Sequence, residues 1–459
     1  MGYAARTLVA AAIVLAASHA TIPAPRLSAS ALIMGGTNQV LSIPPQTPAF
    51  IRDFVAGANT DLIEPSGLCT GGSAGCDLVA VYTPEQLRYI TGFTDLTLDE
   101  SVAVGRANLD ACLRGIACMA TSSPFTDTTM QTIGDNTFVV QGVSQSSIIS
   151  TYEKSHLIAH PVEGATISFI LVSNPDRPNG GFAERFVGGY IPLLGITFNG
   201  AAPTNSPQPN PLLTIDVAHQ YDGWADFPTN PGNLLADLNA LLGAVYLHDK
   251  PLTVGGSSQL QGYYQDTTYY LKPSPVLPLL IPLAAVPVVG PTMAAALDPP
   301  LRVLVEAGYD RTINPGQPTP AQWGYTPNLV KTAADLVRSV PTGWDDAIAV
   351  ATDDPANRPF HTEPQGVYGV GGPPVYAGAI DPYAPVPPAA QPVAAQSDPM
   401  PSVATDDIMS STPTLRAAHR SAPAPSRPHP AAVTAGRDHA PSPSSSKIAT
   451  ARVHPADAA

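Results

Sequence analysis

The sequence predicts an α/β protein with a mostly parallel central sheet, followed by a long C-terminal segment without a core of its own. Three observations carry that reading. Short β-branched and aromatic runs alternate with stretches whose apolar residues recur at helical spacing, as expected for strands joined by crossover helices. One strand–helix junction, within TFVVQGVSQSSIISTYEKSH (residues 137–156), is a tight turn with a serine at its apex. Beyond residue 345 the chain passes into Pro, Ala and Ser.

That junction organises the rest. Thr137, Phe138, Val139 and Val140 suit a buried strand, and Ile148, Ile149 and Tyr152 fall at helical spacing. Between them lies Gly142-Val143-Ser144-Gln145-Ser146. So sharp a turn strains its apical residue and points its hydroxyl out of the sheet edge. The flanking residues must be small because strand and helix nearly touch. Gly142 meets that need, and Ser146 stands where glycine is usual. Ser144 is therefore the candidate nucleophile if the chain also supplies a base, an acid and an oxyanion hole. Otherwise it is a serine in an ordinary β–α connection.

A chain of 459 residues can hold two or three domains, but 52 prolines and 13% charged residues are unusual for a globular protein. The net charge of −14 argues against nucleic acid as a partner. Arg6 precedes an apolar run at 8–17, and Ser18 and Ala20 fit a secretory cleavage site. Residues 1–20 thus read as a signal peptide, or as an uncleaved anchor, and the protein as secreted or cell-envelope associated. Outside the cytoplasm the four cysteines suggest two bridges, and local pairing is expected: Cys69–Cys76 and Cys112–Cys118. No histidine joins them at ligand spacing, so neither a metal nor another cofactor is called for.

Residues 21–345 form the expected folded body. A strand at 29–34 (ASALIM) runs into Gly35-Gly36-Thr37-Asn38. Backbone N–H groups at Gly36 or Thr37, together with that of Gln145, are the candidate oxyanion donors. Helices are expected at 47–56 and 98–112, the latter started by Thr97 or Asp99, and a strand at 78–82. The strand at 167–172 leads into a turn-rich loop, Asn174 to Gly181. The strand at 213–217 leads into HQYDGWADFP (219–228), and a helix over 234–246 ends just before His248.

In the α/β-hydrolase arrangement the order is nucleophile, acid, histidine. Six of the ten histidines lie in the export segment or the tail. His156 and His160 come too early, and His219 precedes the best acids, which leaves His248 as the base. Asp222 is the first choice of acid, beside the bulky Trp224, with Asp226 and Asp176 as alternatives.

These motifs together resemble the PE-PPE domain family of mycobacterial and related envelope proteins. The resemblance rests on Met34-Gly35-Gly36-Thr37, the Ser144 turn, NPDRPNGG (174–181), YDGWADFP (221–228) and ADLNAL (236–241), and covers about residues 31–309. It implies an α/β-hydrolase fold with a serine nucleophile, carried onto Ser144, and a triad completed by Asp222 and His248. It implies esterases on short to medium acyl chains, or acyltransferases that build acylated trehalose lipids. Many members carry an N-terminal PE or PPE module; an export segment in its place brings this chain closer to stand-alone members.

The uniformly apolar VLPLLIPLAAVPVV (276–289) is broken by Pro278, Pro282 and Pro287, which disfavours a regular membrane helix. It reads as a lid or wall for an acyl chain, with Leu279, Leu280 and Ile281 as candidate substrate contacts, or as a buried connection. Tyr263, Tyr264, Tyr269 and Tyr270 are candidates to flank the same cleft. Residues 301–305 read as a strand or helix start, and 329–340 as the last helix of the body. Residues 346–459 read as disordered, for they hold too few large apolar side chains to offset chain entropy.

The expected chemistry is attack of Ser144 on an acyl ester to give an acyl-enzyme. Water as acceptor makes the protein an esterase or lipase. A sugar hydroxyl makes it an acyltransferase onto trehalose-type glycolipids. A third possibility keeps the fold as a non-catalytic lipid-binding envelope protein. The expected partners are an acyl-ester lipid or glycolipid and an envelope or membrane surface.

Overall fold

The computed structural model describes residues 29–69 and 75–372, so the expected export segment and residues 373–459 of the tail lie outside the described residues. The strands are β1 (Ala29–Ile33), β2 (Asp77–Val81), β3 (Cys118–Ser122), β4 (Thr129–Gln131), β5 (Thr137–Val143), β6 (Thr166–Val172), β7 (Tyr190–Ile191), β8 (Ile196–Thr197), β9 (Thr214–His219), β10 (Gln259–Tyr264) and β11 (Thr267–Lys272). The helices are α1 (Pro48–Ala58), α2 (Glu64–Ser66), α3 (Leu98–Leu113), α4 (Gln145–Ala159), α5 (Phe182–Arg185), α6 (Leu234–Tyr246), α7 (Ile281–Ala284), α8 (Gly290–Glu306) and α9 (Leu329–Thr352). A π-helical turn joins α1 to α2.

Among the described residues nine strands form one sheet, in the order β10-β11-β9-β6-β5-β1-β2-β3-β4. The six strands from β11 to β2 run parallel to their neighbours. Antiparallel pairs close both edges, β10 on one side and β3–β4 on the other. β7 and β8 make a separate small ribbon.

Parallel strands flanked by crossover helices are buried on both faces, which is why their sequences read as nearly continuous apolar runs. Alternate residues divide between the faces. Leu32, Val140 and Phe169 join Val102 and Ile149 of α3 and α4 in one core. Ile33, Val139, Ile170 and Val217 join Ile51 and Val55 of α1 in the other. Burying each such side chain contributes roughly 1.5–3 kcal/mol before chain entropy is counted.

Local signals agree with the elements. Thr97 caps α3 in a reciprocal box with Glu100, whose carboxylate accepts the Thr97 N–H at 2.9 Å. The Asn233 side chain caps α6 at Ala236 N, 3.1 Å away. The disulfides Cys69–Cys76 and Cys112–Cys118 are both formed, with Cα atoms 5.7 and 5.2 Å apart.

Three stretches differ from expectation. The tyrosine-rich segment is the β10–β11 hairpin at the sheet edge, joined through Gln265 and Asp266. Residues 301–305 belong to the last turns of α8, which tolerates Pro299 and Pro300 in its interior. The folded body also runs past 345, because α9 continues to Thr352 and residues 353–372 form an ordered strap. Polar contacts hold that strap where apolar burial is scarce. The Val367 carbonyl accepts from Gln220 at 3.0 Å and Arg302 at 3.2 Å, and Asp345 accepts the N–H groups of Phe360 and Thr362. No helix among the described residues is long and apolar enough to cross a membrane.

Candidate active site

The strand-to-helix turn has the strain its sequence foretells. Ser144 sits at φ 54° and ψ −113°, a backbone region rarely adopted by residues with a side chain. Gly142 is required there, for a Cβ on it would lie 2.4 Å from the Ser146 carbonyl oxygen. Ser146 does more than keep the turn small. Its buried hydroxyl accepts the Val143 N–H at 2.8 Å and lies 3.1 Å from the Val143 carbonyl oxygen, so it closes the turn as a side-chain clasp.

Three side chains meet at the C-terminal ends of the strands. Ser144 follows β5, Asp222 follows β9, and His248 lies just past α6. His248 Nε2 is 2.8 Å from Ser144 Oγ, and its Nδ1 is 2.8 and 3.0 Å from the two oxygens of Asp222. Asp222 is fully buried, and its Oδ1 also accepts the Trp224 N–H at 3.0 Å. Gly243 lets α6 carry His248 this close, since a Cβ there would lie 1.8 Å from the Tyr221 carbonyl oxygen. Burial alone would push the His248 pKa down, but the charge and hydrogen bond of Asp222 outweigh it and hold the value above the ordinary imidazole range.

The alternatives are placed elsewhere. Asp226 is bound to Arg311 at 2.7 Å and to the Tyr221 N–H at 2.8 Å, within a buried Arg311–Glu306 network. Asp176 is hydrogen-bonded through its backbone to Asn174 and Ala202, and His248 is not among its hydrogen-bond partners. His219 is buried with Nε2 against the Lys250 carbonyl, and His156 and His160 stack on each other along α4.

Facing Ser144 is the Gly35–Asn38 loop. A Cβ on Gly36 would be 3.5 Å from Ser144 Cβ, so this loop lies directly against the serine. The Gly36 N–H leans toward Gln39 Oε1 at 3.4 Å, and Asn38 N–H donates to the Glu85 carbonyl at 2.8 Å. The N–H of Gln145 lies in the first turn of α4, where no intrahelical acceptor exists. Sequence reasoning missed the Gln145 side chain. Its Oε1 accepts from Thr37 Oγ1 at 3.0 Å, and its Nε2 donates to the Gln86 carbonyl at 3.0 Å and Ser101 Oγ at 2.9 Å. The buried amide is thus fully partnered, by residues that no local pattern links to it.

Ser144 and His248 open into a cavity of about 440 Å³. Leu98, Val102, Ile148, Phe182, Ile196 and Phe198 supply apolar wall, and Asp99, Tyr152, Asp176 and Thr197 interrupt it. Leu279, Leu280 and Ile281 are not among its lining residues. Prolines fold their segment into short turns packed near α6 and α8, with Leu280 in a core around Tyr221 and Ala236. Among the described residues no group of three or more His, Cys, Asp or Glu side chains is placed to hold a metal ion.

The sequence model of the PE-PPE domain matches residues 74–310. The PPE family protein PPE42 of Mycobacterium tuberculosis is 37% identical over 70% of this chain and 51% of its own length. The esterase PE16 of the same species is 36% identical over 67% of this chain and 55% of its own. The SL1278 acyltransferase Chp1, also of M. tuberculosis, is 28% identical over 50% of this chain and 52% of its own. The chain thus spans about half the length of these relatives. With the α/β sheet, the strained serine turn and this match over more than half its residues, the chain belongs to the PE-PPE domain family.

Proposed function

We propose that the protein is a serine-dependent enzyme of acyl esters, with Ser144 as nucleophile, His248 as general base and acid, and Asp222 as the carboxylate that orients and stabilises the imidazole. The observation that carries this reading is the unbroken line of contacts from Asp222 through both nitrogens of His248 to Ser144 Oγ, each link no longer than 3.0 Å. Ser144 Oγ attacks the acyl carbonyl carbon while its proton passes to Nε2. The carbonyl electron pair moves onto oxygen, toward the N–H groups of Gln145 and of the Gly36–Thr37 loop. Collapse breaks the ester bond, and the departing alcohol takes the proton from Nε2. An incoming hydroxyl then repeats the sequence in reverse.

Water in that second step makes the reaction hydrolysis, the activity in the name of PE16. An alcohol makes it acyl transfer, the activity in the name of Chp1. Exposed Ile90 at the cavity and Phe93 in the same loop, with exposed Leu238, Leu241 and Val245 on α6, support work at an envelope or other lipid surface. Export belongs to the same reading and rests on residues 1–20 and two disulfides.

The test is a fluorophosphonate probe. Labelling of the wild type that disappears in Ser144→Ala is expected, with loss of turnover on p-nitrophenyl esters of about 10⁴-fold or more. An unlabelled wild type rejects the enzymatic reading in favour of a lipid-binding protein. Products from a lipid ester with and without trehalose then separate the two acceptors, and free acid alone excludes transfer.

A further inference from the structure

The proposed reaction has no use for Asp176, a buried carboxyl on the cavity wall. It starts the loop after β6, is 1% exposed, and lines the same cavity as Ser144. The hydrogen bonds it makes are backbone ones: its N–H donates to Asn174 Oδ1 at 3.0 Å and its carbonyl accepts the Ala202 N–H at 2.7 Å. The carboxyl Oδ2 has no hydrogen-bond partner among the described residues. Among the described residues no cation is paired with it; Arg177, next in sequence, is turned to Asp216. A buried carboxyl oxygen without a partner is costly to keep, so its retention at a cavity wall calls for an external partner.

The surroundings indicate what that partner is. Asp99, Tyr152 and Thr197 share the cavity with Asp176. Thr197 Oγ1 donates to Asp99 at 2.7 Å, and Asn199 donates to the Tyr152 hydroxyl. The polar groups thus interrupt an otherwise apolar wall in one cavity, so an acyl chain and a hydroxylated group fit side by side. The groups charged or titratable around Asp176 are Asp216 on β9, Glu184 on α5 and Tyr152 on α4, with Asp99 and Asp249 on the same cavity wall. Acid neighbours disfavour an anionic ligand and favour a neutral one that both gives and takes hydrogen bonds.

We propose that Asp176 is a specificity-determining residue that binds a hydroxyl of the polyol part of the ester or of the incoming acceptor. The proposal rests on Ser144 being the nucleophile, since it names the substrate class of that site. Burial, reinforced by Asp216 and Glu184, pushes the Asp176 carboxyl up to about 8, so below that pH it carries a proton to donate.

The test compares kcat/KM for glycerol monobutyrate and ethyl butyrate, which share an acyl group and differ in the hydroxyls of the alcohol. Asp176→Leu is expected to lower the glycerol-ester to ethyl-ester ratio of kcat/KM about tenfold while fluorophosphonate labelling of Ser144 is retained. Asp176→Asn, which still donates and accepts, is expected to stay within about threefold of wild type. In the wild type the ratio is expected to fall above pH 8, and in Asp176→Asn to stay flat; this arm decides the matter if the leucine variant does not fold. A ratio that is equal in wild type and Asp176→Leu, or a wild-type ratio flat from pH 6 to about 9.5, overturns the proposal while leaving Ser144 in place. Absence of labelling and of turnover on both esters overturns the Ser144 reading and this one with it.

Discussion

The hydroxyl of Thr37 and the side-chain amide of Gln145 are hydrogen-bonded at 3.0 Å across the gap between the β1 loop and α4. The same amide is fixed behind by Gln86 and Ser101. The two backbone stretches that face a carbonyl held at Ser144 are therefore set at a fixed distance by one side chain. Gln145→Ala keeps the backbone donor and removes the tie. We expect kcat to fall about 10–10²-fold with little change in KM, measured on p-nitrophenyl butyrate, because a loosened donor loses part of what removing it would cost. An unchanged kcat would show that the loop holds its position without the tie.

The pH profile follows from His248. In the proposed reaction it must be neutral to accept the Ser144 proton, and Asp222 holds its pKa above the ordinary value in spite of burial. The acid limb of kcat/KM should therefore fall off at a pH above about 6.5, the free imidazole value. Asp222→Asn should move that limb to lower pH and reduce kcat about 10³–10⁴-fold. An acid limb that stays in place in this variant would mean that the carboxylate does not govern the imidazole.

Glu85 offers a stability test. It is 1% exposed, Thr83 donates to one carboxyl oxygen, and the other has no partner among the described residues. Burial raises its pKa to about 8, far above the unfolded value near 4.5. The unfolded chain therefore releases this proton first as pH rises. The contribution to stability is complete below the unfolded pKa and is lost as pH rises through about 8. Glu85→Gln should match the wild type near pH 4 and exceed it at pH 8 by roughly 1–3 kcal/mol in urea unfolding. A constant difference across that range would contradict the assignment.

Ending the chain after residue 345 should destabilise the body. The cut removes the last turns of α9 and leaves Gln220 and Arg302 without the Val367 carbonyl. It also removes Tyr368 from its stack against Arg311, 5.1 Å away. A loss of about 2–5 kcal/mol relative to a chain ending at 372 is expected from equilibrium unfolding, given several broken buried hydrogen bonds. Equal stability of the two chains would return the boundary to 345.

What could be read from the amino acids divides along a physical line. The apolar strands, Thr97 and the glycine before Ser144 were legible because each obeys a local rule of period, cap or turn, and His248 was left by elimination once the chain order of nucleophile, acid and histidine was applied. The PE-PPE motifs then joined Ser144 to Asp222 and His248, whose contacts the fold places within hydrogen-bonding reach. The segment around Leu280 was left between two readings because an apolar run does not reveal whether it walls a cavity or fills a core; Leu280 fills one. The strap at 353–372 escaped because arginine, glutamine and carbonyl contacts hold it, and composition does not register those. The Gln145 tie was invisible because its partners, Thr37, Gln86 and Ser101, come from three separated places in the chain.

Ser144 and His248 are 104 residues apart in the chain, yet their side chains touch. β6, β9 and α6 all lie within that interval and must be in place before the two can meet. No peptide excised around the serine can react as the whole does. The probe that tests Ser144 as the proposed nucleophile therefore also serves as a gauge of native assembly: the denaturant concentration at which tagging is half lost should coincide with the midpoint of global unfolding.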